Sequence, residues 1–85
     1  MKFQVVVPKK VQKELNKIPA TYRQKIIVAL TVLAQDPYSG KKLEGKFASQ
    51  WSYRVWPYRI IYEIKKTELV VLIIRINHRQ EAYKG

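Results

Sequence analysis

The chain has 85 residues, no cysteine, and 17 lysines and arginines against six acids, a formal net charge of +11. That length gives one small domain with a thin stability margin, and the missing cysteines exclude disulfide staples and thiolate metal sites. So dense a positive charge points to polyanionic partners, nucleic acid or the ribosome first, and no apolar run approaches the ~20 residues of a membrane span.

The opening Met1-Lys2-Phe3-Gln4 does not read as a signal peptide, so a cytoplasmic protein is expected, with no membrane partner. Phe3 to Val7 is β-branched and aromatic enough to predict a short first strand. Pro8 suits the first turn of a helix, where its missing N–H costs nothing. Val11, Leu15 and Ile18 then recur at four and three residues as one apolar stripe among lysines, and Pro19 stops the run. A longer helix follows, with Thr21 as N-cap, Tyr22, Ile26, Ala29, Leu30 and Leu33 as its stripe, and Asp36-Pro37 as its end. From Asp36 to Ser49 the chain reads as a loop, punctuated by Pro37, Gly40 and Gly45 and carrying a basic cluster of Lys41, Lys42 and Lys46.

Three strands are expected next, at about 50–56, 58–65 and 68–76. A hairpin turning at Trp56-Pro57 pairs Val55 with Tyr58 and sets Arg54 opposite Arg59 on one face; a turn of two or of four residues gives the same pairing. A second turn centred on Lys66-Thr67 places Arg59 beside Ile74 and Ile61 beside Leu72. Leu69 to Ile74 is apolar on both parities, the pattern of a strand buried on both faces. The whole of 1–85 is therefore one α+β domain: a small antiparallel sheet, built as strand, helical hairpin and three-strand meander, with the two helices packed on one face. The arginine face is also partly apolar, which calls for a partner or the loop from Asp36 to Ser49 to cover it.

The acids Glu14, Asp36, Glu44, Glu63, Glu68 and Glu81 are scattered and His78 is the one imidazole, so the sequence shows no metal-site spacing and no cofactor is expected. Ser39, Ser49 and Ser52 lack a glycine-framed nucleophile turn, and no acid is placed to orient His78. What remains is a set of cations, Arg54, Arg59 and Arg79, with Lys46 in the preceding loop, and two titratable groups, His78 and Tyr83. Like charges opposite each other destabilise a sheet unless an anion lies between them. Such a set suits metal-free RNA cleavage, in which a 2′-hydroxyl attacks the adjacent phosphate. That reaction needs a base, an acid for the leaving 5′-oxygen, and cations for the charge on the phosphorane. Arginine forks hold phosphate at two points and never deprotonate. Taken singly, each residue also has a structural reading, Arg54 and Arg59 as solvated strand charges, Arg79 and Tyr83 as a basic tail, and His78 as an ordinary surface or structural imidazole.

Over nearly the whole chain these residues resemble the RelE/ParE toxin superfamily, the small basic toxins of bacterial and archaeal toxin–antitoxin pairs. The resemblance is carried by the strand–helix–helix start, Lys42-Leu43-Glu44-Gly45, the run from Trp51 to Tyr62, similar to the family's W-R-L-R-V-G-D-Y-R-I-I-Y, and I-x-H-R-x-x-x-Y from Ile76 to Tyr83. It implies a ribosome-dependent endoribonuclease that cuts messenger RNA without a cofactor. Arg59 and Arg79 would clamp the phosphate, Arg54 would support them, Tyr83 or His78 would move protons, and Lys41, Lys42 and Lys46 would contact RNA or ribosome. It also implies a cognate antitoxin that covers the basic face. Two alternatives stay open: a gyrase inhibitor of ParE type without nuclease activity, and an attenuated or inactive basic binding module. The latter arises because Ser52 stands where a second basic residue is common and Trp56-Pro57 replaces the usual Gly-Asp turn.

Overall fold

A computed structural model describes residues 2–79. Alternating apolar residues produce seven principal elements: β1 (Gln4–Val6), α1 (Lys9–Asn16), α2 (Ala20–Gln35), β2 (Lys41–Lys42), β3 (Trp51–Val55), β4 (Tyr58–Lys65) and β5 (Val70–His78). The strands form one sheet in the order β1-β5-β4-β3-β2, with β1 parallel to β5 and every other pair antiparallel. The α+β class matches the expectation. The sheet itself differs from the expectation at both ends: part of the expected loop joins it as β2, and the first strand pairs in parallel with the last.

One parity of each long strand faces the helices. Ile60 and Tyr62 of β4 and Val71, Ile73 and Ile76 of β5 are buried against Val11, Ile18, Ile26, Ala29 and Leu33 from the helical hairpin. Leu15 and Leu30 pack at the margin of that core, while Tyr22 stays 37% exposed with its ring 5.8 Å from that of Tyr58. Thr21 is not the cap of α2. The helix begins at Ala20 after Pro19, whose φ of −52° presets the entry, and no side chain caps it. Pro8 plays the same part before α1.

The β4–β5 register departs from the sequence expectation. The turn leaves Lys65 opposite Val70, and a bulge between Ile61 and Tyr62 on the β4 side leaves Ile74 without a partner on β4. Arg59 therefore faces Asn77, and Ile61 faces Arg75. Nor is β5 buried on both faces: Val71 and Ile73 are buried, Leu72 and Ile74 only half-buried, because both helices lie on one side. Beyond the β1 pairing, α1 closes the edge of β5, where the Ile76 N–H donates to Glu14 Oε1 at 3.2 Å. The segment after α2 extends the sheet instead of folding over its open face.

Tyr62 ties that segment down. Its ring is fully buried and its hydroxyl donates to the Pro37 carbonyl at 2.6 Å. Gly40 must lack a side chain here, since a Cβ would collide with the Tyr62 hydroxyl and lie 2.8 Å from the Ser52 carbonyl oxygen. Burial pushes the Tyr62 hydroxyl from its ordinary 10.0 up to about 12, the Gly40 backbone opposing and Asp36 and Tyr53 adding smaller increments.

These contacts set an expected outcome. Tyr62→Phe leaves the Pro37 carbonyl unpaired in the interior and lowers unfolding free energy by about 1–3 kcal/mol at pH 7. The native state holds the hydroxyl proton more tightly than the unfolded chain does. That contribution is whole below pH 10.0 and is lost as pH rises through about 12. Urea unfolding of both proteins from pH 9 upward should show the gap between them shrinking; a constant gap would refute the assignment.

Candidate nucleic-acid site

Once the even residues of β4 turn inward, the odd ones must line the opposite face. Arg54 and Arg59 are direct cross-strand partners, as the hairpin arithmetic predicts, and Asn77 of β5 completes their row. The next row runs Lys41, Ser52, Ile61, Arg75 across four strands. The open face is thus cationic toward the hairpin tip, and half-buried apolar side chains such as Leu72 occupy the other end.

Arg79 reaches the tip from beyond β5. Its N–H donates to the Pro57 carbonyl at 2.7 Å, and its guanidinium lies 4.9 Å from the Trp56 ring centroid. The Trp56–Pro57 peptide in this turn is cis. Arg54, Arg59 and Arg79 share one cleft of about 310 Å³ with Trp56, Pro57 and Tyr58. A second cleft of about 410 Å³ adjoins it through Arg54 and Arg59 and continues past Ser52 to Gly40 and Lys41. No carboxylate lines either cleft among the described residues, so an anion entering them meets guanidinium forks and an ammonium.

The other expected site residues are distributed differently. His78 is paired with Tyr58 and meets its ring edge-on at 5.3 Å, beside Glu14, Lys17 and Ile18 of the helical side. It therefore shares a face with the core and not with Arg54 and Arg59. Lys42 stands opposite Trp51 and so also on the helical parity, while Lys46 is exposed with its ammonium 5.3 Å from the Phe47 ring. Tyr83 lies outside the described residues. Arg75, Asn77 and Trp56 join the site without having been singled out; the first two needed the β5 register, and Trp56 needed the geometry of the turn.

The fold is that of RelE toxins. The RelBE2 toxin–antitoxin complex of Mycobacterium tuberculosis superposes with a TM-score of 0.85 at 26% identity, covering 93% of each chain. The archaeal RelE–RelB complex of Pyrococcus horikoshii shares the fold at 0.81 and 24% identity, over 93% of this chain and 97% of that one. The chain belongs to the family described as the ParE toxin of type II toxin–antitoxin systems, whose model matches residues 5–83. It is 29% identical over 75 residues to toxin RelG of Mycobacterium tuberculosis, 86% of either chain. A toxin named RelE1 from Methanocaldococcus jannaschii matches at 27% over 90 residues, covering 100% of this chain and 99% of that one. It is a RelE-like toxin of a type II toxin–antitoxin system.

The opposed guanidiniums carry a measurable signature. Arg54→Ala removes the repulsion across the hairpin, and at low ionic strength it raises stability by up to about 1 kcal/mol. High salt closes the difference. Added inorganic phosphate reverses the order, because it stabilises the wild type more than the variant. Thermal unfolding along a phosphate series checks this, and identical phosphate responses would show that the pair holds no anion.

Proposed function

We propose that this toxin is a ribosome-dependent endoribonuclease that cuts messenger RNA by 2′-hydroxyl attack and so blocks translation. The supporting observation is the convergence of Arg54, Arg59 and Arg79 on one cleft at the end of a cationic groove. In the reaction the 2′-oxygen bonds to phosphorus as the bond to the 5′-oxygen breaks. A proton leaves the 2′-hydroxyl and another reaches the 5′-oxygen, giving a 2′,3′-cyclic phosphate. Arg59 and Arg79 hold the non-bridging oxygens, with Arg54 beside them, as negative charge grows there. Proton transfer falls to Tyr83 in this reading, since His78 stands on the other face. The clamp alone does not align the 2′-hydroxyl with the leaving oxygen; a message held strained in the decoding site supplies that geometry.

The partner in the cell is an antitoxin, as in the RelB complexes of the structural relatives. The partner surface complementary to this chain is acidic and apolar, able to meet the basic face and the exposed Ile27, Val28 and Val32 on the outer side of α2. A second reading, gyrase inhibition without cleavage, draws on the ParE description of the family. A prompt translational block with cut messages favours the nuclease; double-strand DNA breaks favour the gyrase poison.

Arg59→Ala and Arg79→Ala should each relieve growth inhibition while circular dichroism shows a folded domain. Each lost contact in a dry transition state is worth roughly 2–4 kcal/mol, on the order of a hundredfold or more in single-turnover cleavage. The products should carry 2′,3′-cyclic or 3′-phosphate ends, and ribosome-bound message should be cut far faster than the same message free. Full toxicity of both folded variants would sink the assignment.

A further inference from the structure

The tip of the β3–β4 hairpin presents an indole to solvent: Trp56 is 59% exposed. Trp51, by contrast, is half-buried and packs edge-on against Tyr38 at 5.5 Å. An aromatic ring left so open adds little to the core, and in water it is a standing cost that burial would remove. It nevertheless has a close neighbour. The Arg79 guanidinium lies over the ring, and the Arg79 N–H is bonded to the next carbonyl in the turn. The ring forms one wall of the cleft that Arg54 and Arg59 also line.

We propose that Trp56 is a base-stacking platform, on which a nucleobase of the single-stranded substrate lies while its phosphate is held by the neighbouring guanidiniums. The inference rests on the nuclease reading above and adds the group that grips a base. Three features carry it: an indole with a guanidinium over its ring, an exposed surface large enough to receive a planar ring, and cations on the same cleft for the attached phosphate. Exposed aromatics interleaved with cations bind single strands this way, because every base has a π-face and every nucleotide a charge. Arg79 serves both halves. Its guanidinium contacts the indole through a cation–π interaction and still offers N–H donors to an anion. The two-ring face of a purine covers more of the indole than a pyrimidine does, so adenine and guanine are the bases this platform prefers.

The competing role for Trp56 is that of a prop holding Arg79. The two roles separate when phosphate and base are varied independently. The probes are a labelled 2′-O-methyl oligoadenylate, which cannot be cleaved because it has no free 2′-hydroxyl, and the same backbone with abasic positions. Affinities are read by fluorescence anisotropy at low salt. The wild type should bind the adenylate about tenfold more tightly than the abasic strand. Trp56→Ala should erase that preference while keeping the abasic affinity, Trp56→Phe should retain part of it, and Arg59→Ala should weaken both strands alike. Equal binding of the two strands by the wild type overturns the platform and leaves the nuclease reading standing. So does an equal loss for both strands in Trp56→Ala. Failure of the wild type to bind either strand overturns the phosphate cleft and the platform together.

Discussion

The hydroxyl of Tyr62, donated to the Pro37 carbonyl from inside the core, decides which way the sheet faces. Tyr62 is opposite Trp51 on β3 and Ile73 on β5. Burying it therefore fixes the parity of three strands at once, since a slip of one residue would exchange their faces. With Tyr62 inward, Arg54, Arg59 and Arg75 have nowhere to go but the open side. The same bond anchors the chain just after α2, so that Gly40 can pass close to the sheet and deliver Lys41 to its edge. A single buried phenol thus links the end of the helical hairpin to the composition of the cationic groove.

How much of this the sequence reveals depends on whether a contact is set locally or by the whole fold. The Arg54–Arg59 pairing is legible because the hairpin turn is short and either turn length preserves the sum of the paired residue numbers. The helix stripes are legible for the same reason, since a 3.6-residue period needs no partner to be read. The β4–β5 register is not. The long turn between them and the unpaired Ile74 each displace the pairing, and a bulge answers to packing against the helices and not to any local signal. Missing the register hid Arg75 and Asn77. The apolar run of β5 misled in another way: hydrophobicity on both parities states what could be buried, whereas coverage of the second face depends on elements that this chain keeps on one side. His78 is the clearest lesson. Its neighbour Arg79 reaches the cleft, yet strand parity carries His78 itself to the helical side, and adjacency in sequence says nothing of that.

Three of the described acids are engaged away from the arginine cleft. Glu14 accepts the Ile76 N–H at the sheet edge, Asp36 accepts the Tyr38 N–H just after α2, and Glu63 pairs with Lys65 at 3.1 Å. Each satisfies a local need of the fold, and none of the three lines the arginine cleft. Arg54 and Arg59 stand directly opposite each other across the hairpin, in a domain that already has little stability to lose. That register is held by the core behind the sheet.

An anion-binding cleft still differs from a catalyst. Guanidiniums stabilise charge as it develops on phosphate, but they take no proton at neutral pH and they grip any phosphate equally. Selectivity for one linkage must come from groups that sense the nucleotide around it. In the inference drawn above, the exposed indole at the hairpin tip, with Arg79 over its ring, would be such a group. The remaining requirement, the in-line placement of a 2′-hydroxyl, belongs to whatever holds the strand on its far side. On the proposed reading, reliance on the ribosome for that placement would be a built-in restraint: free RNA offers the same phosphates without the strain, so binding would far exceed cutting until a message is in the decoding site.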